Sequence, residues 1–264
     1  MTNRTLLSIA AGSVFALGLS ACGSSTTTTD SGANVIKEGT LSVCTQLPYQ
    51  PFEFRQGSEV VGFDISLMDL VAKDQDLTVD IVQTPFEGIQ SGQSLNTGQC
   101  DIAAAGMTIT EDRSKVIDFS DPYFEATQAL LVKKGAGYDS LESLAGKRIA
   151  VQQGTTGEIY TKENAPKDSK IQVFEDLGLL TTSVKTGQVD AAVQDNGPLL
   201  DFVKKNPDTE VAAEFDTGEE YGFAVKKDGN DELLKATNDM ISKAKEDGTY
   251  DEIYEQWFGA APES

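Results

Sequence analysis

Thr97 to Ala104 reads TGQCDIAA, and Thr186 to Val193 reads TGQVDAAV. The shared pattern is T-G-Q-x-D-x-A. A glycine in this place closes a helix, and the apolar run behind it suits a strand buried on both faces. Chance can produce an echo this short, so its surroundings matter. Upstream of each copy stands a strand followed by a polar turn: LSVCTQ (Leu41 to Gln46) and IAVQQGTT (Ile149 to Thr156). Two α/β units of similar plan account for both observations.

The rest of the chain fits that plan. Asp64 is placed to cap a helix whose Ile65, Met68, Val71 and Ala72 fall at helical spacing. LTVDIVQ, from Leu77 to Gln83, reads as a strand because Thr78, Val79, Ile81 and Val82 are β-branched. DIAAA, from Asp101 to Ala105, is expected as a buried strand. Such alternation predicts α/β architecture with largely parallel sheets. Near the end, Leu233, Leu234, Thr237, Met240, Ile241 and Ala244 mark an amphipathic helix. Tyr250, Tyr254, Trp257 and Phe258 are expected to pack in the core.

Composition removes several function classes. The formal charge is −21 and histidine is absent. Phosphate binding needs clustered Lys and Arg, so nucleic acid is not an expected partner. A Ser-His-Asp triad and a His-ligated metal site are both impossible. No metal and no cofactor are expected.

The first 21 residues read as a signal peptide: Arg4, an apolar run from Leu6 to Leu19, then small residues. Leu19-Ser20-Ala21-Cys22-Gly23 resembles the bacterial lipobox. The resemblance implies cleavage before Cys22 and a diacylglyceryl, palmitate-bearing Cys22 as membrane anchor. One acyl chain holds a membrane only weakly, and this group carries more than one. Residues 22–35 are then a lipidated flexible tether.

In open α/β sheets, ligands bind beyond the carboxyl ends of the strands. Those positions here hold Gln46 and Tyr49, Phe86, Gly106, Thr108 and Arg113, then Gln152, Thr155 and Thr156, and finally Asp195. One cation, one anion, aromatics, hydroxyls and amides suit a zwitterion. Arg113 can grip a carboxylate in bidentate fashion, aided by a helix start after Gly154. Asp195 can hold an ammonium. Each residue also has a plain structural reading. Arg113 can be a solvated charge, Asp195 a helix cap, Tyr49 and Phe86 core aromatics.

AAGMTITEDRSKVIDFSDPYF, from Ala104 to Phe124, makes the pattern familiar, together with VGFDISLMDLVA, LAGKRIAVQQGTTGE, GQVDAAVQDN and EDGTYDEIYEQWFG. From about Gly39 to Gly259 the chain resembles the amino-acid-binding proteins of ABC importers. The resemblance implies a two-lobed type II periplasmic-binding-protein fold. Each lobe is a mostly parallel sheet flanked by helices, and two strands form the hinge. Lobe one is residues 36–127 and 223–264, and lobe two is 128–222. The chain crosses near Thr127 to Leu131 and returns near Glu220 to Phe223. Arg113 then binds the ligand's α-carboxylate, with Ala105, Gly106, Thr108, Thr155 and Thr156 nearby. Asp195 binds the α-ammonium, and Tyr49 and Phe86 form walls. Gln46 and Gln152 set side-chain selectivity. Gln46 stands where many relatives carry an Asp, which disfavours a cationic ligand and favours a polar neutral one such as glutamine. Gln90 and Ser91 could also reach the pocket.

The implied function is an extracytoplasmic solute-binding protein, anchored to the bacterial cell membrane and not an enzyme. It acts as a monomer that delivers its ligand to a permease and ATPase complex. Two rivals use the same scaffold: a ligand-sensing domain for a partner receptor, and a dehydratase-type enzyme. For Cys44 and Cys100, export and parity favour a disulfide. The register of parallel neighbours opposes it and weighs slightly more.

Overall fold

The computed structural model describes residues 26–29, 32–260 and 262. The signal peptide and Cys22 lie outside the described residues. In chain order the strands of the two main sheets are β1 (Thr40–Thr45), β2 (Thr78–Gln83), β3 (Ile102–Ala103), β4 (Ile117–Phe119), β5 (Phe124–Lys133), β6 (Arg148–Gln152), β7 (Lys170–Phe174), β8 (Ala191–Asp195), β9 (Thr209–Tyr221) and β10 (Ala224–Lys226). The helices are α1 (Phe63–Asp74), α2 (Phe86–Gln90), α3 (Gln93–Asn96), α4 (Glu111–Ser114), α5 (Thr156–Asn164), α6 (Leu177–Thr186), α7 (Asn196–Lys205), α8 (Asp231–Asp247) and α9 (Thr249–Phe258).

One sheet runs β2-β1-β3-β10-β4, the other β7-β6-β8-β5-β9. The expectation of mostly parallel sheets holds for three strands of each. β2, β1 and β3 are parallel, as are β7, β6 and β8. In each sheet one strand, β10 or β5, runs antiparallel to both neighbours, so β4 and β9 pair antiparallel with it while pointing the same way as the parallel three. These four strands are the ones next to the crossings, where the chain leaves one sheet and returns. It passes to the second sheet between Phe119 and Phe124, a few residues before the expected Thr127–Leu131, and comes back between Tyr221 and Ala224.

The sequence echo is a structural one. Ser42 N–H donates to the Asp101 carboxylate at 2.8 Å, and Asp101 N–H donates to Ser42 O at 2.8 Å. In the second sheet, Arg148 N–H donates to Asp190 at 2.8 Å, and Asp190 N–H donates to Arg148 O at 2.9 Å. Each aspartate thus clasps the strand beside its own. Gly98 and Gly187 precede them, both at positive φ.

Local expectations fare unevenly. Ile65, Met68, Val71 and Ala72 are all buried on α1. Asp64 does not cap that helix: Gly62 holds the cap position. Asp64 lies inside the first turn, buried, and accepts from Gly106 N–H at 3.0 Å and Tyr123 OH at 2.8 Å. The strand expected over Asp101–Ala105 is shorter. Only Ile102 and Ala103 form the strand, although Ala104 N–H still donates to Cys44 O at 3.0 Å, and Ala105 lines the cleft. Part of the expected tether is folded, since Thr27–Thr28 pairs with Asn34–Val35 and Ala33 is buried.

Of the C-terminal aromatics Tyr250 is buried in the core, and Tyr254, Trp257 and Phe258 are half-buried against it. The Phe63 ring meets Tyr250, Tyr254 and Phe258 with centroids 5.5, 5.8 and 5.3 Å away. Phe258 also touches Phe52 at 5.5 Å. Such ring pairs add about 0.5–1.5 kcal/mol each beyond buried area.

Cys44 and Cys100 are joined by a disulfide, with Cα atoms 5.6 Å apart. This overturns the register argument. Cys44 is level with Ala103, so a straight strand would put Cys100 about 10 Å away along its axis, at about 3.3 Å per residue. The ladder starts only at Ile102, and the chain before it bends back over β1.

Candidate functional site

All eleven residues expected around the ligand line one cavity between the sheets: Gln46, Tyr49, Phe86, Ala105, Gly106, Thr108, Arg113, Gln152, Thr155, Thr156 and Asp195. A twelfth, Glu53, was not expected. The cavity is narrow, about 20 Å³ in volume. Gln90 and Ser91 do not line it. Both bond to Glu87 instead.

Arg113 enters from α4, a single turn capped by Thr110, whose Oγ1 accepts from Arg113 N–H at 3.2 Å. The solvated-charge reading fails, because Arg113 is 5% exposed. Its guanidinium lies over the Phe86 ring, 5.1 Å from the centroid. Its N–H groups donate to Thr108 O at 2.6 Å and Gly154 O at 2.9 Å. Burial pushes its pKa down, and the charges of Asp195 and Glu219 push back. Arginine stays charged under such opposition.

The turn after β6 is built by its own side chains. Thr155 caps α5 by accepting from Glu158 N–H at 3.2 Å, and Glu158 accepts from Gly154 N–H at 2.7 Å. Thr155 Oγ1 also donates to Gln152 O at 2.8 Å. With its hydroxyl committed on both sides, Thr155 meets the cavity mainly through its backbone. The start of α5 still offers unpaired N–H groups and a positive dipole end.

Asp195 sits opposite in function. It occupies the residue before α7 but makes no side-chain cap there, so the capping reading fails. Its carboxylate is 4% exposed. It accepts from Tyr49 OH at 2.6 Å, from Tyr221 OH, and from Gln128 Nε2 at 2.6 Å. Burial, then the Glu219 charge, raise its pKa to about 6 against those hydrogen bonds.

Gly106 has φ +48°, and a Cβ there would stand 2.5 Å from the Tyr49 ring. Only glycine lets the backbone pass so close to that wall. Phe86 and Tyr49 are buried. Gln152 Nε2, at the end of β6, donates to Gln46 Oε1 at 2.6 Å just after β1, a direct bond across the cleft.

The match to known proteins agrees with this geometry. Bacterial extracellular solute-binding proteins, family 3, match residues 41–260. The chain belongs to this family. This solute-binding protein is 39% identical over 208 residues to the ABC transporter glutamine-binding protein GlnH of Bacillus subtilis (strain 168), covering 77% of this chain and 75% of that one. It is 36% identical over 251 residues to a probable histidine-binding protein of Neisseria gonorrhoeae, covering 92% and 91%. Among solved structures it is similar to an ancestral arginine-binding protein bound to glutamine. That likeness has 44% identity and a TM-score of 0.79, covering 84% of this chain and 99% of that one. The fold is that of the type II periplasmic binding proteins.

Four further groups of the solute-binding protein shape the site. Glu219 on β9 accepts from Thr108 Oγ1 and Thr156 Oγ1, each at 2.7 Å, and from Gln128 Nε2 at 3.0 Å. Tyr221 closes over Asp195. Glu53 is buried at the cavity wall, its carboxyl hydrogen-bonded to that of Asp64. Burial, then the Asp64 charge, push its carboxyl well above the usual range. Gln128, Glu219 and Tyr221 lie on the crossing strands, at or beside the crossings the sequence marked. Strand alternation near such a crossing is the one signal that could have found them. Nothing in the sequence marks Glu53. Among the described residues, no helix is long and apolar enough to cross a membrane, and no cluster of Cys, Asp and Glu could hold a metal ion.

Proposed function

We propose that this protein captures one free amino acid between its two sheets and hands it to the permease and ATPase of an ABC importer. One observation carries the reading: a buried cation, Arg113, and a buried anion, Asp195, line the same small cavity. A zwitterion neutralises both. Its carboxylate faces Arg113 and the start of α5, and its ammonium faces Asp195. Thr108 and Thr156 direct their hydroxyl protons to Glu219. They therefore offer lone pairs, which suit the ammonium rather than the carboxylate.

Tyr49 and Phe86 cover the ligand's stem, and the Gln46–Gln152 amide pair favours a polar neutral end such as that of glutamine. A cationic side chain is the second reading. Beyond Gln46 the cleft opens into a groove bearing Glu87, Glu175 and Asp176, and a long cation could reach it.

In this reading residues 36–127 with 223–264 form one lobe and 128–222 the other. The protein binds rather than catalyses, and closure of the lobes presents the ligand to the transporter. Residues 1–21 direct export, and lipid on Cys22 holds a monomer at the outer side of the cell membrane. Mass spectrometry of the membrane fraction should find acyl chains on Cys22, and Cys22→Ser should free the protein into the medium.

Calorimetry of the mature chain against the amino acids tests the central reading. Micromolar or tighter binding of one is expected, with Arg113→Ala and Asp195→Ala each weakening it about a hundredfold or more, in line with loss of a charge-assisted pair. Absence of binding to every amino acid would sink it.

A further inference from the structure

Three glutamine carboxamides form one hydrogen-bonded row across the cleft. The backbone N–H of Asp195 donates to Gln194 Oε1 at 3.1 Å. Gln194 Nε2 donates to Gln152 Oε1 at 2.8 Å. Gln152 Nε2 donates to Gln46 Oε1 at 2.6 Å. Gln46 Nε2 donates to the backbone oxygen of Glu175 at 3.1 Å. The ends set the direction. A backbone N–H can only donate and a carbonyl can only accept. Turning over any amide sets oxygen against oxygen at one neighbour and nitrogen against nitrogen, or donor against donor, at the other. The usual ambiguity of glutamine orientation is therefore resolved here by the backbone at both ends. Gln46 and Gln152 line the cavity, whereas Gln194 does not. Gln194 is 1% exposed.

We propose that Gln194 is a positioning residue for ligand selectivity. It holds the Gln152 and Gln46 carboxamides in one orientation and so fixes where the pocket offers its remaining N–H groups and lone pairs. The proposal rests on the amino-acid reading above. Beyond the row, each of those two amides keeps one N–H and one lone pair. A ligand carboxamide complements a donor and an acceptor held side by side. A guanidinium brings donors only, and a carboxylate acceptors only. Buried groups left unpaired by the wrong ligand are what make a hydrogen-bonding site selective.

Substitution at 194 reads this directly. Gln194→Glu still accepts from Asp195 N–H but cannot donate to Gln152. Gln152 then turns its nitrogen inward, Gln46 follows, and the Gln46 oxygen meets the Glu175 carbonyl, where the row breaks. The pocket gains acceptor character and negative charge, and both favour a cationic side chain. Gln194→Met keeps the volume and removes the orientation without adding charge.

The experiment is calorimetry of the mature protein, wild type, Q194M and Q194E, with glutamine, glutamate and arginine. Q194E should raise the arginine-to-glutamine affinity ratio about tenfold or more, and Q194M should narrow the spread among the three ligands about fivefold. A purely structural role lowers all three affinities alike. Ratios within about twofold of wild type, or loss of all binding in both variants, overturn the proposal. A wild type that binds no amino acid removes the underlying reading as well, and is recognised before any variant is made. Should neither variant fold, wild-type NMR decides. The side-chain amide protons of Gln194 and Gln152 should exchange with water about a hundredfold slower than those of free glutamine. Exchange at the free rate overturns the row.

Discussion

Asp195 and Glu219 share one donor: the Gln128 amide nitrogen lies 2.6 Å from the first carboxylate and 3.0 Å from the second. Two acids are thus held side by side in a buried cleft whose one lining cation is Arg113. A ligand ammonium relieves that surplus of negative charge.

Binding should therefore depend on pH through Asp195. Its pKa is raised to about 6, because burial and the Glu219 charge disfavour ionisation. An ammonium beside it favours the ionised form, so binding below that pH must expel a proton. Affinity should be flat above pH 6 and fall by up to about tenfold per pH unit below it. Calorimetry in two buffers of different ionisation enthalpy would show the released proton. A flat profile from pH 4.5 to 8 would remove Asp195 from the ammonium site.

Asp64 predicts a stability effect of its own. It is fully buried and its pKa is raised from 3.8 to about 6, with burial as the main cause. The folded state then holds a proton that the unfolded state has lost, so stability falls as pH rises from about 4 to about 6, and the penalty persists above. Asp64→Asn removes the charge and keeps a polar partner for the Glu53 carboxyl that Asp64 bonds. Above pH 6 it should stabilise the protein by about 1–3 kcal/mol. Urea unfolding at pH 5 and pH 7.5 measures this. Equal effects at the two pH values would contradict it.

Removing the Cys44–Cys100 disulfide shortens no contact but frees the unfolded chain. The two residues are 56 apart in sequence, for which loop closure gives up to about 4 kcal/mol. Cys44→Ala with Cys100→Ala should lower stability by about 2–4 kcal/mol, read from a lower urea midpoint. Ligand affinity should change little, because neither residue lines the cavity. Affinity falling in step with stability would show the bond to shape the site.

Gly106→Ala should act on the ligand more than on the fold. The new methyl group would sit 2.5 Å from Tyr49 Cε1, and positive φ adds strain of about 1–2 kcal/mol. Moving Tyr49 withdraws the hydroxyl that Asp195 accepts at 2.6 Å. Affinity should drop about tenfold or more, with a loss of stability of about 1–3 kcal/mol. Unchanged affinity would mean that the Tyr49 ring is free to shift.

The fold was legible where pattern and physics coincide. The T-G-Q-x-D-x-A echo marks the two aspartate clasps, and helical spacing placed Ile65, Met68, Val71 and Ala72 on the buried face of α1. Local rules misread Asp64, because a cap needs only a nearby aspartate, while its burial is set by Gly106 and Tyr123 from far along the chain. Cys100 was misjudged for a similar reason: strand register says nothing about a bend before the strand. The cavity lining was legible because strand ends gather at one edge of each sheet. Glu53 and Glu219 were hidden, since an acid facing inward and an acid facing solvent look alike in a chain this acidic.

The ring of Phe52 lies between Tyr49, at 5.9 Å, and Phe258, at 5.5 Å. Phe258 ends the last helix of the chain. The consequence is one of timing. A growing chain that has not yet made residues 249–258 lacks the Phe258 ring against Phe52 and the Tyr250, Tyr254 and Phe258 rings against Phe63, and keeps only the earlier contacts with Tyr123, Phe124 and Tyr221. The wall that carries Tyr49 is therefore completed only when synthesis is nearly over, so a nascent or truncated chain can fold much of both sheets and still be unable to grip its solute.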